Sequence, residues 1–118
     1  MRMTQVCWLS LCATVLFATL AAAQTEDDGQ EEAKAHFFQG VALFEDANYE
    51  AALVEFKTSY KANLNFKVLY NIGLTLQALH RYVEAEEALS EYLVQGADKV
   101  PEDRIMEVTQ IIAELRGV

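Results

Sequence analysis

Few residues of this chain are of a type and spacing that could make or break a bond. His36 and His80 could ligate a metal or pass a proton, but they stand 44 positions apart with no neighbour at ligand spacing. Glu84, Glu86, Glu87 and Glu91 form the densest group of carboxylates. Their spacing suits one solvated helix face better than a metal cage. Cys7 and Cys12 both fall in an apolar N-terminal stretch, so no thiol remains beyond residue 23 for nucleophilic chemistry. A Gly-rich phosphate loop and a nucleophile motif are both absent. The chemistry these residues allow is recognition. A non-enzymatic protein without cofactor or metal is expected.

The elements that would carry recognition begin after residue 23. Arg2 gives a short positive start, Val6 to Leu20 is apolar apart from Ser and Thr, and Ala21-Ala22-Ala23 offers a small-residue cleavage site before Gln24. This is the pattern of a secretory signal peptide over residues 1–23. The apolar length also reaches the minimum for a span, so an uncleaved membrane anchor is the other reading. Cleavage predicts a periplasmic or secreted protein without disulfides, held together by packing or assembly. The chain has 18 acidic residues against nine Lys and Arg, a net charge of −9. Loss of residues 1–23 removes Arg2 and no acid. Such a surface disfavours nucleic acid and anionic lipid headgroups, and suits a solvated helical protein or a basic partner. Residues 24–32, QTEDDGQEE, lack any apolar side chain and read as a disordered acidic leader.

From residue 33 the pattern is helical and it repeats. Gly40, Tyr49, Ala52, Phe56 and Tyr60 return as Gly73, Tyr82, Ala85, Leu89 and Leu93, each 33 positions on. A fixed period of this size signals stacked supersecondary units. Helical spacing of Tyr49, Ala52, Leu53, Phe56 and Tyr60 predicts a helix over 49–62. Companion helices are expected over 32–46, 66–79 and 82–94. Ala47-Asn48 and His80-Arg81 make the turns, and Gly96 caps the last helix. Glycine inside a helix costs about 1 kcal/mol relative to Ala. The matched Gly40 and Gly73 therefore imply close helix approach, with the small Ala52 and Ala85 expected opposite them. A fifth helix is expected over 101–117. Pro101 suits its first turn, and Glu102 and Asp103 suit the positive end of the helix dipole. Its stripe is Ile105, Val108, Ile112 and Leu115, widened by Ile111. It reads as a cap over the open side of the second unit, or as a docking helix for another subunit.

The stretches AHFFQGVALFEDANYEAALVEFKTSY and VLYNIGLTLQALHRYVEAEEALSEYL resemble the tetratricopeptide repeat. In that family a helix A with a mid-helix Gly is followed by a turn and a helix B that opens on Tyr and carries Ala, then Phe or Leu. The resemblance covers about residues 33–95. The family period is 34 residues and ankyrin's is 33, but ankyrin's Thr-Pro-Leu-His run is absent. The missing residue falls near Ala62-Asn63-Leu64-Asn65, where the family's usual proline is also absent. His36 and Leu69 stand where an early aromatic is expected. The resemblance implies an all-α, tetratricopeptide-like α-solenoid. Two helix-turn-helix repeats, about 33–65 and 66–98, would be followed by the C-terminal capping helix.

Helix A lines the concave face in that family, and partner peptides lie there. By resemblance this face comprises Lys34, Phe37, Phe38, Val41 and Phe44 in the first repeat, and Lys67, Tyr70, Asn71, Leu74 and Gln77 in the second. Phe37 and Phe44 read equally well as packing between helices. Phe38, Tyr70, Asn71 and Gln77 are expected to be exposed. Partner contacts are accordingly expected at Phe38, Val41, Lys67, Tyr70, Asn71, Leu74 and Gln77, which could hold an extended peptide or an amphipathic helix. The carboxylate clamp of chaperone-binding members is not expected. Asn71 fits one of its stations, but Phe37 and Val41 stand where Lys and Asn are needed.

The resulting expectation is a protein–protein adaptor of the bacterial cell envelope. Two other readings are open: a self-associating structural subunit, since solenoids usually need three repeats, or a membrane-anchored accessory subunit of an envelope complex.

Overall fold

The computed structural model describes the backbone of residues 9–118 and the side chains of residues 27–118. The chain is all-α, with no strand among the described residues. Among the described residues five α-helices follow in order: α1 Leu9–Glu45, α2 Tyr49–Ala62, α3 Lys67–Ala78, α4 Tyr82–Gly96 and α5 Glu102–Arg116. A 3-10 turn, Ala97–Lys99, precedes α5. Each helix packs on the next in chain order. The expected cleavage site and Cys7 and Cys12 lie outside the residues whose side chains are described. Among the described residues no helix is long and apolar enough to cross a membrane.

Two helix hairpins, α1–α2 and α3–α4, are built alike. A Cβ on Gly40 would sit 2.7 Å from the Phe56 ring, and one on Gly73 would sit 2.6 Å from Leu89. Both glycines are therefore close-approach positions. The residues that press on them differ from expectation, however. Phe56 and Leu89 cover the glycines, while Ala52 and Ala85, one turn earlier, are simply buried.

The turns also match. Ala47 and His80 both adopt the left-handed conformation, at φ 58° and 59°. In the first turn Asn48 N–H donates to the Leu43 carbonyl at 2.8 Å and Ala47 N–H to the Phe44 carbonyl at 3.0 Å. In the second, Arg81 N–H donates to Leu76 at 2.9 Å and His80 N–H to Gln77 at 3.0 Å. Each is the paired 6→1 and 5→2 pattern of a Schellman stop, which satisfies the last carbonyls of the first helix.

The core joins the hairpins to α5. Leu53, Phe56, Ile72, Leu76, Leu89 and Val108 are among its most buried side chains. Each large one contributes about 1.5–3 kcal/mol by leaving water. Two buried hydroxyls are satisfied inside this core. Ser59 Oγ donates to the Ala33 carbonyl at 2.7 Å, and Thr75 Oγ1 to the Asn71 carbonyl at 2.6 Å.

Three boundaries differ from the sequence reading. Residues 24–32, expected as a disordered leader, continue α1. The turn around residue 29 rests on the end of α2: Gly29 lies against the Ala62 carbonyl, and Ala33 is buried beside Ser59. A Lys34–Glu31 pair at 2.9 Å adds a local i,i+3 tie.

Gly96, expected as the cap, is instead the last helical residue of α4, and the positive φ falls on Ala97. Glycine is needed at 96 because Val100 and Phe66 press against its Cα. Pro101, expected inside the first turn of α5, is its extended N-cap. Within α5, Val108, Ile112 and Leu115 are buried, whereas Ile105 stays 36% exposed.

Candidate protein-interaction surface

A hollow of about 260 Å³ at the expected recognition face lies between α1 and α3 with the end of α2 as its floor. Helix α1 contributes Gln30, Ala33, Lys34, Phe37 and Phe38; α3 contributes Lys67 and Val68. Ser59, Asn63 and Asn65 close the base. Phe38 is 67% exposed, an unusual state for a phenylalanine. Its ring stands edge-on to Phe37 at 5.8 Å, and Phe37 in turn rests on Phe56 at 5.8 Å. The exposed ring is thus held in place by a packed one. Asn65 shapes the other wall, its Oδ1 accepting from the Lys67 N–H at 3.1 Å. That bond starts α3 and fixes where Lys67 stands.

A second hollow, about 330 Å³, opens between α3, α4 and the start of α5. Phe66, Tyr70 and Tyr92 form its apolar part, with Lys67, Lys99 and Arg104 around them. Tyr70 and Tyr92 pack at 5.6 Å and Phe66 and Tyr92 at 5.7 Å. Arg104 lies over the Tyr70 ring at 4.6 Å, a cation–π geometry. Burial, then the hydrogen bond to Glu107, pushes the Tyr70 phenol above its ordinary range.

The expected contact residues divide accordingly. Phe38 and Lys67 come together in the first hollow. Tyr70 lines the second but is half-buried: its hydroxyl donates to Glu107 of α5 at 2.9 Å. It serves first as a clip between α3 and α5, which corrects the expectation of a freely exposed ring. Asn71 and Gln77, also expected exposed, are half-buried. Val41 and Leu74 are half-buried as well, Val41 against the core. None of these four lines either hollow. Phe37 and Phe44 are packing residues, Phe44 meeting Tyr49 at 5.1 Å.

Sequence reasoning did not find Gln30, Ser59, Asn63, Asn65, Phe66, Lys99 or Arg104. One signal was present: the residue missing from the repeat period falls in the 62–65 turn that supplies Asn63 and Asn65.

The two histidines are both engaged in structural contacts. His36 Nδ1 lies 2.5 Å from Glu55 Oε2 and joins α1 to α2. His80 Nδ1 shares a hydrogen bond with the Tyr82 hydroxyl at 2.6 Å within the second turn. No group of three or more His, Cys, Asp or Glu that could hold a metal occurs among the described residues. No protein-family model, curated protein or solved structure matches the chain.

Proposed function

We propose that the chain is a small helical-repeat protein of the tetratricopeptide type, exported to the bacterial cell envelope, that holds a segment of another protein between α1 and α3. What supports the repeat reading is the recurrence, at the same 33-residue offset, of both the glycine contact and the left-handed turn. What carries the functional reading is Phe38. A ring 67% in water beside a preformed hollow is the kind of aromatic anchor that partners bury. Export rests on residues 1–23 of the sequence alone.

The test is affinity capture from a native envelope fraction with wild type and Phe38→Ala. Phe38 touches little of the core, so the variant keeps its helicity. One client retained by wild type and lost by Phe38→Ala supports the adaptor. Equal capture by both removes the α1–α3 hollow from the proposal.

A second reading is self-association. On α5, Met106 is 67% exposed and Ile105 36% exposed, so the start of the last helix keeps two apolar side chains in water. Sedimentation over a concentration range decides it, and a strict monomer at the highest concentration rejects it.

A further inference from the structure

Acids outnumber bases two to one in this chain, yet neither hollow is lined by a single Asp or Glu. Four cations line them instead: Lys34, Lys67, Lys99 and Arg104. Lys67 lines both, so the two hollows share an edge. Lys67 and Lys99 are exposed and make no ion pair among the described residues. Lys34 and Arg104 are paired, to Glu31 at 2.9 Å and Glu107 at 3.1 Å. Both pairs are solvent-exposed neighbours on one helix, which contribute little and exchange readily. Between the cations lie apolar surfaces, Phe37 and Phe38 on one side of Lys67 and Phe66, Tyr70 and Tyr92 on the other.

We infer that these two adjoining hollows together take an acidic segment of a partner protein in which carboxylates alternate with a bulky apolar side chain. The inference rests on the interaction reading above and names its partner class. Charge complementarity is local. Lys67 and Lys99 offer unpaired donors to carboxylates, while the aromatic floor takes the apolar residue. The rest of the molecule, at net −9, repels a polyanion at longer range. A nucleic-acid strand, charged at every phosphate, is penalised more by that field than a short segment presenting a few carboxylates. The recognised groups are side-chain carboxylates, not a chain terminus, because the cations are spread over both hollows.

The experiment uses the full chain and a fluorescently labelled peptide of glutamates interrupted by phenylalanines, acetylated and amidated so that it has no terminal charge. Its glutamine counterpart and an oligothymidylate are the controls, and anisotropy is the readout. The acidic peptide is expected to bind about tenfold more tightly than the glutamine peptide, on the scale of two or three exposed ion pairs. The double variant Lys67→Gln/Lys99→Gln should erase that difference, and Phe38→Ala should weaken both peptides alike. Equal binding of the two peptides, both weakened by Phe38→Ala, overturns the acidic class and leaves the hollows standing. Binding of neither peptide overturns both readings. Tighter binding of the oligothymidylate, or an acidic preference unmoved by the lysine substitutions, also overturns the inference.

Discussion

The two hairpins have the same turn and the same glycine contact, but they differ in what covers them. Helix α3 buries six positions, Val68, Leu69, Ile72, Gly73, Thr75 and Leu76. Over the residues whose side chains are described, α1 buries only Ala33 and Gly40. The reason is position. Helix α3 packs on α2 and α4 and is clipped to α5 through Tyr70 and Glu107, while the main contact of α1 is with α2. The same repeat pattern therefore gives a fixed second hairpin and a first hairpin with a free flank. That free flank is where Phe38 stays in water. The proposed recognition surface and the incomplete packing are the same feature of the first hairpin.

The largest effects should come from emptying the two glycine contacts. Phe56 and Leu89 are 1% and 0% exposed. Truncating a buried Phe costs about 3–5 kcal/mol and a buried Leu about 2–5. Helix α1 is free to settle into the space left by Phe56→Ala, whereas α3 is held on both sides and leaves a residual cavity in Leu89→Ala. The two variants are therefore expected to cost nearly the same in urea unfolding, despite the larger ring. A Phe56→Ala penalty well above that of Leu89→Ala would break the comparison.

The reverse change separates the hairpins more clearly. An alanine at Gly40 or Gly73 gains about 1 kcal/mol of helix propensity but overpacks the contact by about 1–3 kcal/mol. Gly73→Ala should be destabilising by about 1–2 kcal/mol, because Leu89 has no room to yield. Gly40→Ala should lie near zero to about 1 kcal/mol, because α1 shifts outward. Thermal melts of the two single variants are sufficient to read the difference.

How much of this was legible in the sequence follows the same physics. The span of α2 was read residue for residue, because its apolar stations are helically spaced and both its ends are turns. Gly40 and Gly73 were read as close contacts from their cost in a helix. What faces them was misread, since a spacing rule points to the small residue, whereas a long side chain one turn further reaches back over the glycine. Both turns were placed from the sequence, at Ala47-Asn48 and His80-Arg81, but their left-handed conformation was not, because Ala47 and His80 do not advertise positive φ as Gly or Asn would. The helical course of residues 24–32 was hidden for a related reason. Local composition argued for disorder, while the packing of Ala33 beside Ser59 is a tertiary contact. At the candidate site, the repeat located Phe38 and Lys67. Lys99 and Arg104 lie beyond the second repeat, so nothing in the period could place them.

Tyr70 sharpens the contrast because its equivalent 33 residues earlier is Phe37, which has no hydroxyl. Tyr70→Phe removes the bond to Glu107 and should cost about 1 kcal/mol. The pH dependence identifies the cause. The phenol is raised in the folded state from its ordinary value of 10.0, first by burial. Its neutral form is thus favoured by folding. Stability from this group is complete below pH 10 and is lost as pH rises through the higher folded value. Wild type should lose stability above about pH 10 more steeply than Tyr70→Phe. Parallel losses would mean that the α3–α5 clip does not depend on the phenol.

The smallest effects should come from the turns, where the hairpins are most alike. A non-glycine residue in the left-handed region costs about 1–2 kcal/mol, and glycine gives back about 0.5–1 kcal/mol in unfolded-state freedom. Ala47→Gly should therefore stabilise the protein by roughly 0.5–1 kcal/mol, since the Ala47 side chain makes no hydrogen bond to be lost. His80→Gly relieves the same backbone strain at φ 59° but gives up the 2.6 Å bond to Tyr82. Its net gain should be smaller, approaching zero. Adding Tyr82→Phe tests the cause directly, because without the phenol His80→Gly should recover the full gain seen at Ala47. If His80→Gly instead stabilises as much as Ala47→Gly in the presence of Tyr82, the histidine bond contributes nothing, and the two turns are energetically as well as geometrically the same.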